Sequence, residues 1–133
     1  MTQDSIEETR LVAVPSMAPG GLEAPRSAHF GHCDVFTLVT VRGDEVVAVE
    51  TVESLPHEEG GCLAPVGLLA GLGATDIVVA GMGGRPLAGF LDAGVTVLFD
   101  DEHLQVGEAI DAMLAGTLEA MAPSMACGGG CSH

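Results

Sequence analysis

The sequence predicts one α/β domain in three layers, with a five-stranded mixed sheet flanked by helices. Three observations lead there. Short apolar, β-branched runs alternate with stretches of helical spacing in the second half of the chain. Two further apolar runs lie side by side around a glycine turn, and 133 residues suit one hydrophobic core and no second folded unit.

Residues 11–14 read as a strand that ends at Pro15, because proline cannot donate to a central ladder. Residues 16–34 are rich in Gly, Pro, Ser and His without a period, and a loop of that length inside a compact domain tends to be functional. Residues 35–41 and 45–51 are β-branched runs around Arg42-Gly43-Asp44, the pattern of an antiparallel hairpin. A second loop covers 53–61. Residues 63–72 have helical spacing, with Val66, Leu69 and Ala70 on one face, and stop at Gly73. Residues 77–80 are a wholly apolar run suited to a buried parallel strand. Gly81-Met82-Gly83-Gly84 then leads into a helix starting at Pro86, with Leu87, Phe90 and Leu91 toward the core. Gly94 closes that helix and residues 95–99 form a fifth strand. Val106, Ala109, Ile110, Met113 and Leu114 recur at helical spacing until Gly116. The order βββαβαβα implies a sheet whose hairpin is antiparallel and whose later strands are parallel. The expected organisation is a flexible N-terminal segment 1–9, a domain 10–116 and a flexible tail 117–133.

Four Arg, no Lys and 19 acidic residues give a formal charge of −15. Phosphate neutralisation needs clustered cations, and Arg10, Arg26, Arg42 and Arg85 stand singly, so nucleic acid is not an expected partner. No apolar run approaches the roughly 20 residues of a membrane span, which argues for a soluble, acidic protein and against a membrane partner. Residues 1–9 lack the basic start and apolar stretch of a secretory signal, and a cytoplasmic location is the expectation.

In that setting Cys33, Cys62, Cys127 and Cys131 point to metal or redox use rather than to structural disulfides. The first loop holds His29, His32 and Cys33 within five residues, and thiolate with imidazole suits iron-sulfur, zinc or copper better than magnesium or calcium. Taken one at a time, each histidine also reads as a solvated loop residue. The second loop holds His57 and then Gly60-Gly61-Cys62 directly before the first helix. A helix N-terminus favours thiolate, and glycines permit close approach of an anionic ligand to the backbone; a buried cysteine beside an ordinary glycine cap is the competing reading. Gly81 to Arg85 resembles a phosphate-binding turn but lacks the Lys-Ser or Lys-Thr of a nucleotide loop; Arg85 suits a negatively charged cluster. In the tail, Cys127 and Cys131 are separated by three glycines and followed by His133, an arrangement fit for metal capture, zinc included, or for a reversible disulfide.

The chain resembles the dinitrogenase iron-molybdenum cofactor biosynthesis family, the group containing NifX, NifY and the C-terminal part of NifB. The resemblance rests on Ala13-Val14-Pro15, on Ser27 with His29-Phe30-Gly31-His32-Cys33-Asp34 and Phe36, and on His57 with Gly60-Gly61-Cys62. It extends through Gly73-Ala74-Thr75-Asp76-Ile77-Val78, Gly81-Met82-Gly83, and Leu91 with Gly94-Val95. It implies a ribonuclease H-like fold and a non-enzymatic carrier or insertion protein for an iron-sulfur or iron-molybdenum-type cluster, with cluster-donating or cluster-accepting proteins as partners. The Cys-rich tail stands outside the family's common core, so the loops, the tail or both are candidate sites. Nuclease chemistry is not expected. Residues 11–14 hold no carboxylate, and two-metal phosphoryl chemistry needs acids grouped on the sheet, where Asp34, Asp76 and Asp100 have no partner on strand one. The rival reading is a thiol redox or zinc-binding protein using the tail; a third is an interaction module without metal.

Overall fold

The computed structural model describes residues 9–27, 34–43, 45–53, 64–80, 84–100 and 102–121. In chain order they form β1 (Thr9–Ser16), β2 (Val35–Arg42), β3 (Glu45–Glu53), α1 (Ala64–Gly71), β4 (Asp76–Val79), α2 (Gly84–Asp92), β5 (Thr96–Phe99), α3 (Val106–Leu114) and β6 (Glu119–Ala120). The sheet order is β3-β2-β1-β4-β5-β6. The hairpin strands and β1 are antiparallel, β1, β4 and β5 are mutually parallel, and β6 returns antiparallel to β5.

Both faces of the central strands are buried, which explains why β1 and β4 read as continuous apolar runs rather than alternating ones. Ala13, Phe36, Ile77, Val79 and Val97 pack on one face under Val66 and Leu69 of α1 and Leu87 and Phe90 of α2. Val12, Val14, Val39 and Val78 pack on the other under Val106, Ala109, Ile110 and Met113 of α3. The result is the expected three-layer α/β domain with a mixed sheet. Each helix ends in the same way: the N–H groups of Gly73, Gly94 and Gly116, and of the residue after each, bond back to carbonyls of the last turn, as in Val95 N–H to Phe90 O at 2.9 Å.

Three expectations are corrected. The sheet has six strands, not five. β6 is two residues long, without apolar alternation, and is held by its register with Leu98 and Phe99 and by Met121 N–H to Val97 O at 2.7 Å, so nothing in its own composition announces it. It lies within the stretch expected to be tail. Pro15 is inside β1 rather than after it, because pairing with β4 ends at Ala13 and Pro15 faces only Phe36 of β2. Leu91 is 40% exposed, since a nine-residue helix on a flat sheet buries Leu87 and Phe90 and turns the next position away.

The long first loop is mostly not loose. Met17 N–H reaches Pro25 O, Arg26 N–H reaches Leu104 O, Val106 N–H reaches Ala24 O and Gly107 N–H reaches Leu22 O, all within 3.0 Å. Leu22 packs on the α3 side of the core. Gly20 has φ of 81°, and a Cβ there would stand 2.6 Å from Thr51 Cγ2, so only glycine lets the strap lie this close to the hairpin. Beneath it, Thr37 Oγ1 accepts the Gly21 N–H at 3.1 Å and lies 2.8 Å from Ser16 Oγ, both hydroxyls being buried. The segment therefore divides into a fixed strap, 17–27, and a remainder whose two ends are pinned to the end of β1: Ser27 N–H to Pro15 O and Asp34 N–H to Ser16 O.

Candidate functional site

Strand direction decides which connections meet. β1, β3, β4 and β5 run the same way, so Ser16, Glu53, Val79 and Phe99 all end at one edge of the sheet, where β2 begins at Val35. The connections 17–34, 54–63, 80–83 and 100–105 all leave from that edge. α1 and α2 start there too, since each leads to a strand that begins at the opposite edge. Their positive dipole ends thus favour negative charge at the same place. At α3 this potential is already used, its first N–H groups being taken by Ala24 O and Leu22 O.

Among the sequence-derived candidates, His29, His32, Cys33, His57, Cys62, Cys127, Cys131 and His133 lie outside the described residues. Their attachment points do not. His29, His32 and Cys33 are on the segment between Ser27 and Asp34, and His57 and Cys62 are on the connection from Glu53 to Ala64. Arg85 is the second residue of α2. The described residues that flank them, Ser27, Asp34, Glu53 and the starts of α1 and α2, lie at the same edge, a juxtaposition that the sequence alone did not supply. The tail departs elsewhere. β6 runs against β5, so the chain at Met121 is heading toward the start of β5 and away from the loop edge.

One charged cluster at this edge was not anticipated. Asp100, at the end of β5, is 3% exposed. Its Oδ1 accepts the N–H of Glu102 at 2.9 Å and of His103 at 3.3 Å, and His103 Nδ1 lies 3.0 and 2.9 Å from its two oxygens. The Arg26 guanidinium stands 3.4 Å from Oδ2 and donates to the carbonyls of His103 (2.7 Å) and Asp100 (2.6 Å). Arg26 comes from the strap, so the cluster ties that strap to the β5–α3 connection. The Asp-x-x-His spacing was the available signal. It carries little weight by itself, because the two groups meet only where a buried strand end is followed by a tight turn. Asp76, by contrast, opens β4 at the far edge with Arg10 at 3.8 Å, so these two buried acids are on opposite sides of the sheet.

Burial, the largest influence on Asp100, raises its pKa; the Glu102 N–H, the His103 ring, the Arg26 charge and the His103 N–H together outweigh it and leave the carboxyl below its ordinary value. A lowered folded pKa stabilises the fold above the unfolded value of about 3.9, and that contribution is lost as pH falls through the folded value. Urea denaturation from about pH 6 down to about pH 3 should show wild type losing more stability than an Asp100→Asn variant, and parallel losses would show that Asp100 is not responsible.

Several known proteins share this architecture. The orange protein of Desulfovibrio gigas, in its apo form, superposes with a TM-score of 0.72 at 25% identity, covering 86% of this chain and 95% of that one. A Thermotoga protein proposed to be NifB, TM1290, gives 0.69 at 28% identity over 84% and 92%. The uncharacterized protein MJ0580 of Methanocaldococcus jannaschii is 27% identical over 95 residues, 70% of this chain and 80% of that protein. None of the helices among the described residues is long and apolar enough to cross a membrane. The family model for dinitrogenase iron-molybdenum cofactor proteins matches residues 11–116, and with the β1-to-α3 framework accounted for over that span, the chain belongs to that family.

Proposed function

We propose that this chain is a non-enzymatic carrier that takes up an iron-sulfur or iron-molybdenum-type cluster at the loop edge of its sheet and passes it to another protein. The observation that carries the reading is that the strand ends from which the two ligand-bearing connections leave, Ser16 and Glu53, lie at one edge of the sheet, where α1 and α2 also start. His29, His32 and Cys33 on one connection and His57 and Cys62 on another supply thiolate and imidazole of the softness such a cargo needs. The starts of α1 and α2, with Arg85, supply the positive potential that suits an anionic cluster. Membership of the family supports a role in cofactor handling, and the order β3-β2-β1-β4-β5 supports the ribonuclease H-like description of the sheet. Residues 10–116 form the cargo domain in this reading, with the Cys127–Cys131–His133 tail as an accessory.

The test is anaerobic reconstitution with ferrous iron and sulfide, followed by desalting and iron and sulfide analysis. The expected result is a brown protein with broad visible absorption from thiolate-to-iron charge transfer, in the full chain and in a chain shortened before Ala126. A colourless protein that binds zinc through Cys127 and Cys131, and keeps it when Cys33 and Cys62 are replaced, would overturn the carrier reading in favour of a zinc or redox function for the tail.

A further inference from the structure

We infer that the outer edge of β3 is a docking site for an extended, basic segment of another protein, which joins the sheet as an added strand. β3 is the last strand on its side of the sheet, and among the described residues no strand pairs with its outer side. Alternate N–H and C=O groups along such a strand point away from its neighbour and can take a further one. The two edges of the sheet differ in this respect. β6 closes one with two residues, too few to template a partner, whereas β3 offers nine. Its register with β2 shifts once, between Thr40 and Val41, and from Ala48 to Glu53 the pairing is regular. Val47 is 49% and Val49 37% exposed, so the edge presents apolar surface as well as backbone groups. β3 contains neither proline nor lysine, two usual means of keeping strands off an edge.

Charge selects the occupant. Glu45, Glu50 and Glu53 are all exposed on β3, and among the described residues none of them has an ion-pair partner. A second copy of the chain, paired antiparallel about Val49, would set Glu45 against Glu53, and pairing about Glu50 would set that residue against its own copy. Like charges opposite one another across strands are destabilising. At −15 overall, two copies also repel at longer range. Acids on an edge serve as a guard of this kind, and the guard fails against a segment carrying Lys or Arg. The register of β3 with β2 sets the pattern of that segment. Glu50 pairs with Leu38, on the side of α1 and α2, whereas Val49 pairs with Val39, on the side of α3, and Glu53 shares the side of Val49. The two acids thus lie on opposite faces, three positions apart. An antiparallel partner meets them with two basic residues at the same spacing, each followed by an apolar residue that meets Val52 or Val49, as in Arg-Val-Thr-Arg-Val.

The test titrates the nitrogen-15-labelled full chain with a capped synthetic peptide, Ser-Arg-Val-Thr-Arg-Val-Ser, at low ionic strength. Amide shifts are expected at residues 45–53, with slowed hydrogen exchange there and no change at β6. Binding should weaken by about three- to tenfold in the doubly substituted Glu50→Gln, Glu53→Gln chain, and likewise on adding salt, as exposed ion pairs do. Backbone N-methylation of the peptide separates strand addition from loose attraction between opposite charges. An added strand uses one edge of the peptide, so methylating one alternate set of amides should cost at least about tenfold in affinity and methylating the other set little. Equal effects of the two sets, shifts spread over the acidic surface, equal binding of the peptide with Glu in place of Arg, or no binding at all would each overturn the inference. So would shifts at 45–53 that follow protein concentration alone, which would give the edge to a second copy. No iron or sulfide enters the titration, and either outcome leaves the carrier reading standing.

Discussion

Replacing Asp100 by Ala is expected to destabilise the fold by about 3–5 kcal/mol, because it strips a counterion from a buried guanidinium. The Arg26 side chain is 5% exposed and Asp100 2%, so neither charge has solvent to fall back on. Arg26 keeps its bonds to the carbonyls of His103 and Asp100, which hold it in place rather than release it to water. Urea denaturation of D100A measures the loss. The paired change Arg26→Met with Asp100→Ala should recover part of it, since an apolar side chain of similar length removes the stranded charge. If the double variant is no better than the single one, the cost arises from the lost bonds to Glu102 and His103 and not from the ion pair.

Cys62→Ala is expected to lower cluster retention by at least about tenfold, while removal of everything from Ala126 onward changes it little. Cys62 stands two residues before α1, where the helix dipole favours thiolate. At Met121, beside Val97, the chain leading to the tail is running away from that edge. Iron and sulfide content after desalting compares the two. Full retention by C62A together with loss on tail deletion would move the site to Cys127, Cys131 and His133.

Most of the framework was legible in the sequence because its signals are local. β-branched runs, a glycine hairpin turn and glycines after each helix give β2, β3, α1, β5 and α3 within a residue or two of their observed limits. What escaped depends on contacts far apart in sequence. β6 exists only through its pairing with β5, and Pro15 sits in β1 only because β4 stops short of it. For the site, the ligand types were readable but not their meeting place, which follows from the shared direction of β1, β3 and β4. The Arg26–Asp100–His103 cluster joins residues 74 and 77 positions apart and has no sequence pattern beyond Asp-x-x-His.

The strap over residues 17–27 has a consequence for affinity. Ordering a residue costs about 1–2 kcal/mol of backbone entropy, and a ligand-bearing loop that is loose along its whole length incurs that cost when it closes on its cargo. Here Gly20, Gly21, Leu22, Ala24 and Arg26 are already committed to Thr37, α3 and Asp100 before anything binds. That part of the cost is already met on folding, so a given set of thiolate and imidazole contacts made by this connection yields tighter binding than they would on a loop loose from end to end.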